Sequence, residues 1–256
     1  MFCSILRKQT TLRLTSHRLT TALRLPTMPK LYYTPTSCGA ANFISAYVAG
    51  VKLDCEQITL ADHKTASGVD YYTINPKGNV PAIVGEGLLL NENAATLQFM
   101  SPCSSCEFMQ QRFQHADFEC SADHATGATK IAPANGTPER YMMQNALSYI
   151  SSELHASVGP LFNPSLAPEL AEHYRNKAAT KLQYINDKLV GSKKFLIGDH
   201  FTVADAYLYI VLSWMGYLKV DLNPFPNVRA FFEHIHGMEA VKAAHARMAS
   251  GPATTV

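Results

Sequence analysis

The chain has 256 residues, 47% of them apolar and 16% charged, enough for a sizeable core in one or two domains and not the composition of a disordered polymer. No run of 18 or more apolar residues offers a membrane-spanning helix. The formal charge of +2 hides an asymmetry: Arg7, Lys8, Arg13, Arg18 and Arg24 lie in an acid-free first 27 residues, leaving 17 basic against 20 acidic groups in residues 28–256. A wide basic nucleic-acid face therefore has no support.

Residues 1–27, rich in Arg, Ser and Thr, carry two expectations. They are a mitochondrial transit peptide, or an extension ahead of a true start at Met28, where MPKLYYTP reads as a natural beginning. No secretory apolar region is present, because Arg and Lys interrupt every apolar stretch. The six cysteines (Cys3, Cys38, Cys55, Cys103, Cys106 and Cys120) do not form a disulfide-framework pattern and point to a reducing compartment.

Lys30 to Thr34 reads as a short strand closed by Pro35, and Ser37 to Ala49 as a helix ended by Gly50. Lys52 to Leu60 reads as a second strand. Asn75 to Pro81 is turn-rich, Ala82–Val84 and Leu88–Leu90 are hairpin strands about Glu86-Gly87, and a helix opens near Asn91-Glu92. From Thr137 onward the apolar spacing is helical, punctuated by Asn163-Pro164, Gly191-Ser192, Gly198-Asp199, Asn223-Pro224 and Phe225-Pro226. Phe201-Thr-Val-Ala-Asp205 has the form of a helix capping box, with Thr202 accepting from an early amide and Asp205 reaching back, and is assigned to folding. The expected organisation is an extension over 1–27, a first domain over 28–100, a linker with an insertion over 101–129, and an all-α domain over 130–256.

Three positions can carry chemistry. Cys38 lies where a strand ends and a helix begins, so helix-start amides can stabilise a thiolate; a small buried thiol would sit in the same place. A cis Val80–Pro81 bond would leave the Val80 backbone free to pair with an extended peptide, whereas an ordinary loop proline would not. Asn91-Glu92-Asn93 opens a helix and can meet a ligand carrying carboxylate and ammonium groups, or simply cap that helix.

Taken in order, Tyr33-Thr-Pro-Thr-Ser-Cys38, Asn75-Pro-Lys-Gly-Asn-Val-Pro-Ala82 and Asn91-Glu-Asn-Ala-Ala-Thr-Leu-Gln-Phe99 resemble the thioredoxin-like domain of cytosolic glutathione transferases, specifically the bacterial-type beta class. The likeness continues through Ala132 to Tyr141, Ser151-Ser-Glu-Leu-His155, Pro160-Leu-Phe162 and Phe201 to Leu208. It implies an α+β fold, a thioredoxin-like α/β domain followed by an all-α helical bundle, in a cytoplasmic homodimer (mitochondrial if residues 1–27 are a transit peptide). The implied activity is detoxifying conjugation of glutathione, a co-substrate with no further cofactor and no metal, to hydrophobic electrophiles, without nucleic-acid or membrane partners. It further implies that Cys38 contacts the glutathione sulfur and that Val80, before Pro81, pairs with the tripeptide backbone. Glu92 and Asn93 would hold its γ-glutamyl end, His63 or Lys64 its glycine carboxylate, and His155 would reach toward the sulfur and Cys38. Tyr33 would stand nearby, and Ser148 occupies a position where the family often has Asn.

Two other activities remain open at this level: glutathione-dependent thiol–disulfide exchange or peroxidase chemistry at Cys38, and glutathione binding without turnover. Within 101–129, Cys103, Cys106, His115, Cys120 and His124 offer a zinc-knuckle alternative in which only the CxxC spacing is good. The stretch 101–121 is better read as a retained intron or a lineage-specific loop, since its removal joins Gln98-Phe-Met100 to Ala122-Asp123 in a family-like pattern.

Overall fold

The computed structural model of the protein describes residues 29–51, 53–85, 87–100, 131–251 and 253–255. The expectations for 1–27 and for the inserted segment, with its cysteines and histidines, lie outside the described residues.

Strand β1 (Lys30–Tyr33) turns Leu31 and Tyr33 into the core, as its alternation requires. It pairs in parallel with β2 (Asp54–Thr59) and antiparallel with β4 (Ala82–Gly85). Between β1 and β2 runs α1 (Ala40–Ala49), which ends at Gly50 with φ of +65°, the left-handed geometry glycine adopts at least expense. The two-residue β3 (Lys64–Thr65) and the C-terminal β6 (Ala253–Thr255) both flank β2, and β5 (Leu88–Leu90) closes a hairpin with β4, giving the order β3-β2-β1-β4-β5. Helix α2 (Asn93–Phe99) follows. This is the thioredoxin-like domain expected, with one difference. The chain's last strand returns to the first domain's sheet, so the region 130–256 is not purely helical.

The second part is helical, as its spacing indicates. Helix α3 (Pro138–Tyr149) runs on through a π-helical turn, Ile150–His155, and a last α turn, Ala156–Val158. Helix α4 (Pro168–Tyr184) likewise ends in a π-helical turn, Ile185–Val190. Helix α5 (Val203–Ser213) is central, with every residue from Val203 to Leu212 buried, and α6 (Pro226–Gly237) and α7 (Glu239–Ala249) pack around it. Its capping box forms as expected: Asp205 accepts the Thr202 N–H at 2.7 Å, and also the Thr202 hydroxyl at 2.8 Å and the Leu196 N–H at 2.7 Å.

Helix α1 joins the two parts. It packs against both α5 and α7, its Phe43 stacks on Tyr33 of β1, and Ile44, Ala40, Ala41, Ala46 and Ala49 are buried in the same core. The residues just before α1 therefore lie at the boundary between the sheet and the helical bundle, where a site can draw groups from both.

Candidate active site

The turn between β1 and α1 is built from local bonds: Ser37 N–H and Oγ–H both reach the Thr34 carbonyl, and Gly39 N–H reaches Ser37 Oγ at 3.1 Å. The helix thus begins at Ala40, three residues later than Ser37, and Cys38 lies in the turn ahead of it. Gly39 is required there, because a Cβ would stand 2.9 Å from Tyr33 Cβ. From the helical side, Trp214 Nε1–H clamps the turn by donating to the Thr36 carbonyl at 3.0 Å.

Cys38 is 8% exposed, and its Sγ donates to the Val80 carbonyl at 3.4 Å. Of the two readings the sequence left open, the Val80–Pro81 bond is cis, but the Val80 carbonyl is occupied by the thiol, not free for a peptide. A network of asparagines fixes the loop before it. Asn75 donates to the carbonyl and side chain of Asn79, Asn91 donates to Asn75 at 2.9 Å, and Asn79 donates to the Asn91 carbonyl at 3.2 Å. The same bonds position the neighbouring Glu92 and Asn93.

The electrostatics of Cys38 reverse the sequence expectation. Burial pushes its thiol up to about 12, with the charge of Glu92 adding to the effect, and the N–H groups of Cys38 and Gly39 oppose this without prevailing. Glu92 itself is exposed and paired with Lys77 at 2.6 Å. Asn93 is buried, accepting from Asn42 Nδ2 of α1 at 2.7 Å.

His155 comes from the π-helical turn. Its Nδ1 bonds the Tyr207 hydroxyl of α5 at 2.9 Å rather than Cys38, and burial pushes its pKa below the ordinary histidine value. Tyr207, 1% exposed, faces the sheet side closely enough for Cys38 and Glu92 to bear on its ionisation. From His155 an aromatic series leads outward through Trp214 (5.0 Å), Phe162 (5.3 Å from Trp214) and the exposed Tyr217 (6.1 Å from Phe162).

Other expected residues stand elsewhere. Tyr33 is fully buried and stacks on Phe43 at 5.3 Å, a core role beneath the turn. Ser148 is exposed, on the helix just ahead of the π-helical turn that carries His155. Lys64 is exposed on the short β3, while His63, at φ of +50°, stacks on Tyr72 at 4.6 Å beside the Gly78 loop. Sequence reasoning missed Lys77, Asn42 and Tyr207. Lys77 and Tyr207 stand inside the Asn75–Ala82 and Phe201–Leu208 stretches that carry the likeness, but no role was drawn from them, and Asn42 had no such signal. Two cavities, of about 440 and 320 Å³, share Pro35 and Gln57 as lining but do not include Cys38.

With this geometry in place, similarity to known proteins decides the family. The chain is 31% identical over 207 residues to glutathione S-transferase GstA of Escherichia coli O157:H7, covering 80% of this chain and 92% of that protein. It belongs to the glutathione S-transferase family. The family profile "Glutathione S-transferase, C-terminal domain" matches residues 149–239. Among solved structures, a sphingomonad glutathione S-transferase complexed with glutathione superposes with a TM-score of 0.71 at 30% identity, over 87% of this chain and all of that one. A beta-class glutathione S-transferase of Sphingomonas chungbukensis does so at 0.69 and 30% identity, over 85% and 97%. The glutathione S-transferase fold read from the motifs is therefore the fold of this transferase chain.

Proposed function

We propose that the chain is a beta-class glutathione transferase that joins the glutathione sulfur to a hydrophobic electrophile, using glutathione as co-substrate with no further cofactor. One observation carries the reading: the Cys38 thiol and Val80 carbonyl meet at 3.4 Å on the sheet side, facing Tyr207 and His155 from the helical side. Glutathione would lie along the Val80 backbone, displacing the thiol from that carbonyl, with its γ-glutamyl ammonium at Glu92 and its carboxylate toward Lys77 or His63. Its S–H proton leaves to solvent, a carbon–sulfur bond forms, and the electrophile's leaving group departs with the electron pair.

Cys38 then acts as a neutral S–H donor to the glutathione sulfur. A thiol held near 12 is a poor thiolate source at neutral pH, which weighs against disulfide exchange as the main activity. The aromatic series through Trp214 and Phe162 supplies an apolar wall for the electrophile. A homodimer in the cytoplasm completes the reading; no helix of the described residues is long and apolar enough to cross a membrane.

The test is retention on immobilised glutathione followed by conjugation of a chlorodinitrobenzene by the wild type, Cys38→Ala and His155→Ala. Conjugation that survives at reduced rate in Cys38→Ala, with mixed-disulfide reduction absent, is expected. Disulfide reduction outpacing conjugation in the wild type, and lost in Cys38→Ala, would replace the reading with an oxidoreductase. Retention with neither activity would leave a binding protein.

A further inference from the structure

Tyr207 and His155 form a pair with a defined proton arrangement. The imidazole is wedged between Tyr207, edge-on at 85° and 6.0 Å, and Trp214 at 5.0 Å, so its orientation is fixed by packing. Its Nδ1 lies 2.9 Å from the Tyr207 hydroxyl, 52 residues away in sequence. Burial lowers the His155 pKa, so at neutral pH the ring carries a single proton, on Nδ1 or on Nε2. Burial raises the Tyr207 pKa above the ordinary phenol value, so the hydroxyl keeps its proton.

A phenol oxygen has one proton to give and two lone pairs to fill. Tyr207 is 1% exposed, and the hydrogen bond of its hydroxyl is the 2.9 Å contact with His155 Nδ1. A buried O–H needs an acceptor, and His155 Nδ1 is the one within hydrogen-bond distance, so the phenol's own proton is directed at it. The ring proton must then sit on Nε2, which no described residue hydrogen-bonds.

We propose that Tyr207 is a positioning residue that holds His155 as the Nε2–H tautomer, leaving an N–H donor on the ring's unused edge for the anionic sulfur of the substrate. The consequence for catalysis rests on the transferase reading; the tautomer does not. The pair joins two parts of the bundle, His155 on the π-helical turn after α3 and Tyr207 on α5.

The experiment uses the full chain with ¹⁵N-labelled histidine. Ring correlations at neutral pH are expected to show His155 protonated at Nε2, and Tyr207→Phe, which removes only the hydroxyl, is expected to lose that preference. In conjugation assays Tyr207→Phe should lower kcat about tenfold, the scale of losing a group that orients a catalytic one, with the glutathione KM within about twofold. Tyr207→Phe in a His155→Ala background should be no slower than His155→Ala alone. Protonation at Nδ1 in the wild type, an unchanged tautomer in Tyr207→Phe, or the same fold-loss in both backgrounds would overturn the proposal. If circular dichroism shows Tyr207→Phe unfolded, the wild-type ring correlations still decide the tautomer, and protonation at Nδ1 overturns the proposal. A wild type that conjugates no electrophile would defeat the transferase reading alone, with the tautomer measurement still deciding this one.

Discussion

A thiol beside the first amides of a helix is expected to ionise more readily, and Cys38 has its own N–H and that of Gly39 pulling in that direction. Burial outweighs them, and Glu92 adds a like-signed charge. Alkylation of Cys38 by iodoacetamide at pH 8, followed by peptide mapping, should therefore run at least about tenfold slower than for a free thiol of pKa about 8.5. Glu92→Gln should speed it, because the variant removes the carboxylate and leaves Lys77 unpaired nearby. An equal or slower rate in that variant would show that Glu92 does not govern the thiol. Gly39→Ala tests the turn itself. The added methyl meets Tyr33 Cβ at 2.9 Å, an overpacking that should lower stability by about 1–3 kcal/mol in urea denaturation. Cys38, Val80, Pro81 and Glu92 were legible in sequence because each is marked locally, by a helix start, a proline or an N-cap. Thiol burial was not, since it depends on what α5 and the Val80 loop place over the turn.

At the scale of elements, the sequence signals placed most helices and strands within a few residues, but they assume regular periods. Seven residues separate Ser148 from His155, two full α turns, which puts them on one face of an ordinary helix. The π-helical turn at Ile150–His155 takes up an extra residue and breaks that alignment. Nothing in Ile150-Ser-Ser-Glu-Leu-His155 announces this, because the turn is stabilised by tertiary packing: Ile150 and Leu154 are fully buried. Ser148→Ala should leave both stability, within about 0.5 kcal/mol, and the glutathione KM unchanged. A raised KM would return Ser148 to the site. Tyr33 shows a related limit: period-2 alternation says that one face of β1 is buried, not which partner buries it, and here Phe43 does, with Tyr33 in the core beneath the Cys38 turn.

For the whole molecule, two buried carboxylates make opposite demands on pH. Glu56 on β2 is 4% exposed; burial would raise its pKa, but Lys30 at 2.7 Å and the Ser67 hydroxyl and N–H at 2.6 and 2.9 Å lower it to about 2. It ties β1, β2 and the loop after β3 together, and its stabilisation is complete above the ordinary value of 4.5 and lost as pH falls toward 2. Asp205 in the capping box is the reverse. Burial pushes it up from 3.8 to about 6 despite its three donors, so the folded chain binds a proton that the unfolded chain releases, and stability declines as pH rises between those values. His155 and His245, both lowered by burial, add a rise with pH near and below their ordinary value. The wild-type curve therefore mixes the terms, and differences between variants separate them. Glu56→Gln should be destabilised by roughly 1.5–3 kcal/mol at pH 7, with the difference from wild type shrinking toward pH 2. Asp205→Asn sets an amide against three donors and should be destabilised most near pH 3, with the difference narrowing by roughly 1–3 kcal/mol by pH 7. Urea midpoints for the three proteins at pH 3, 5 and 7 decide it. Two differences that move in the same direction with pH would show that one of these carboxylates is not held as its neighbours require.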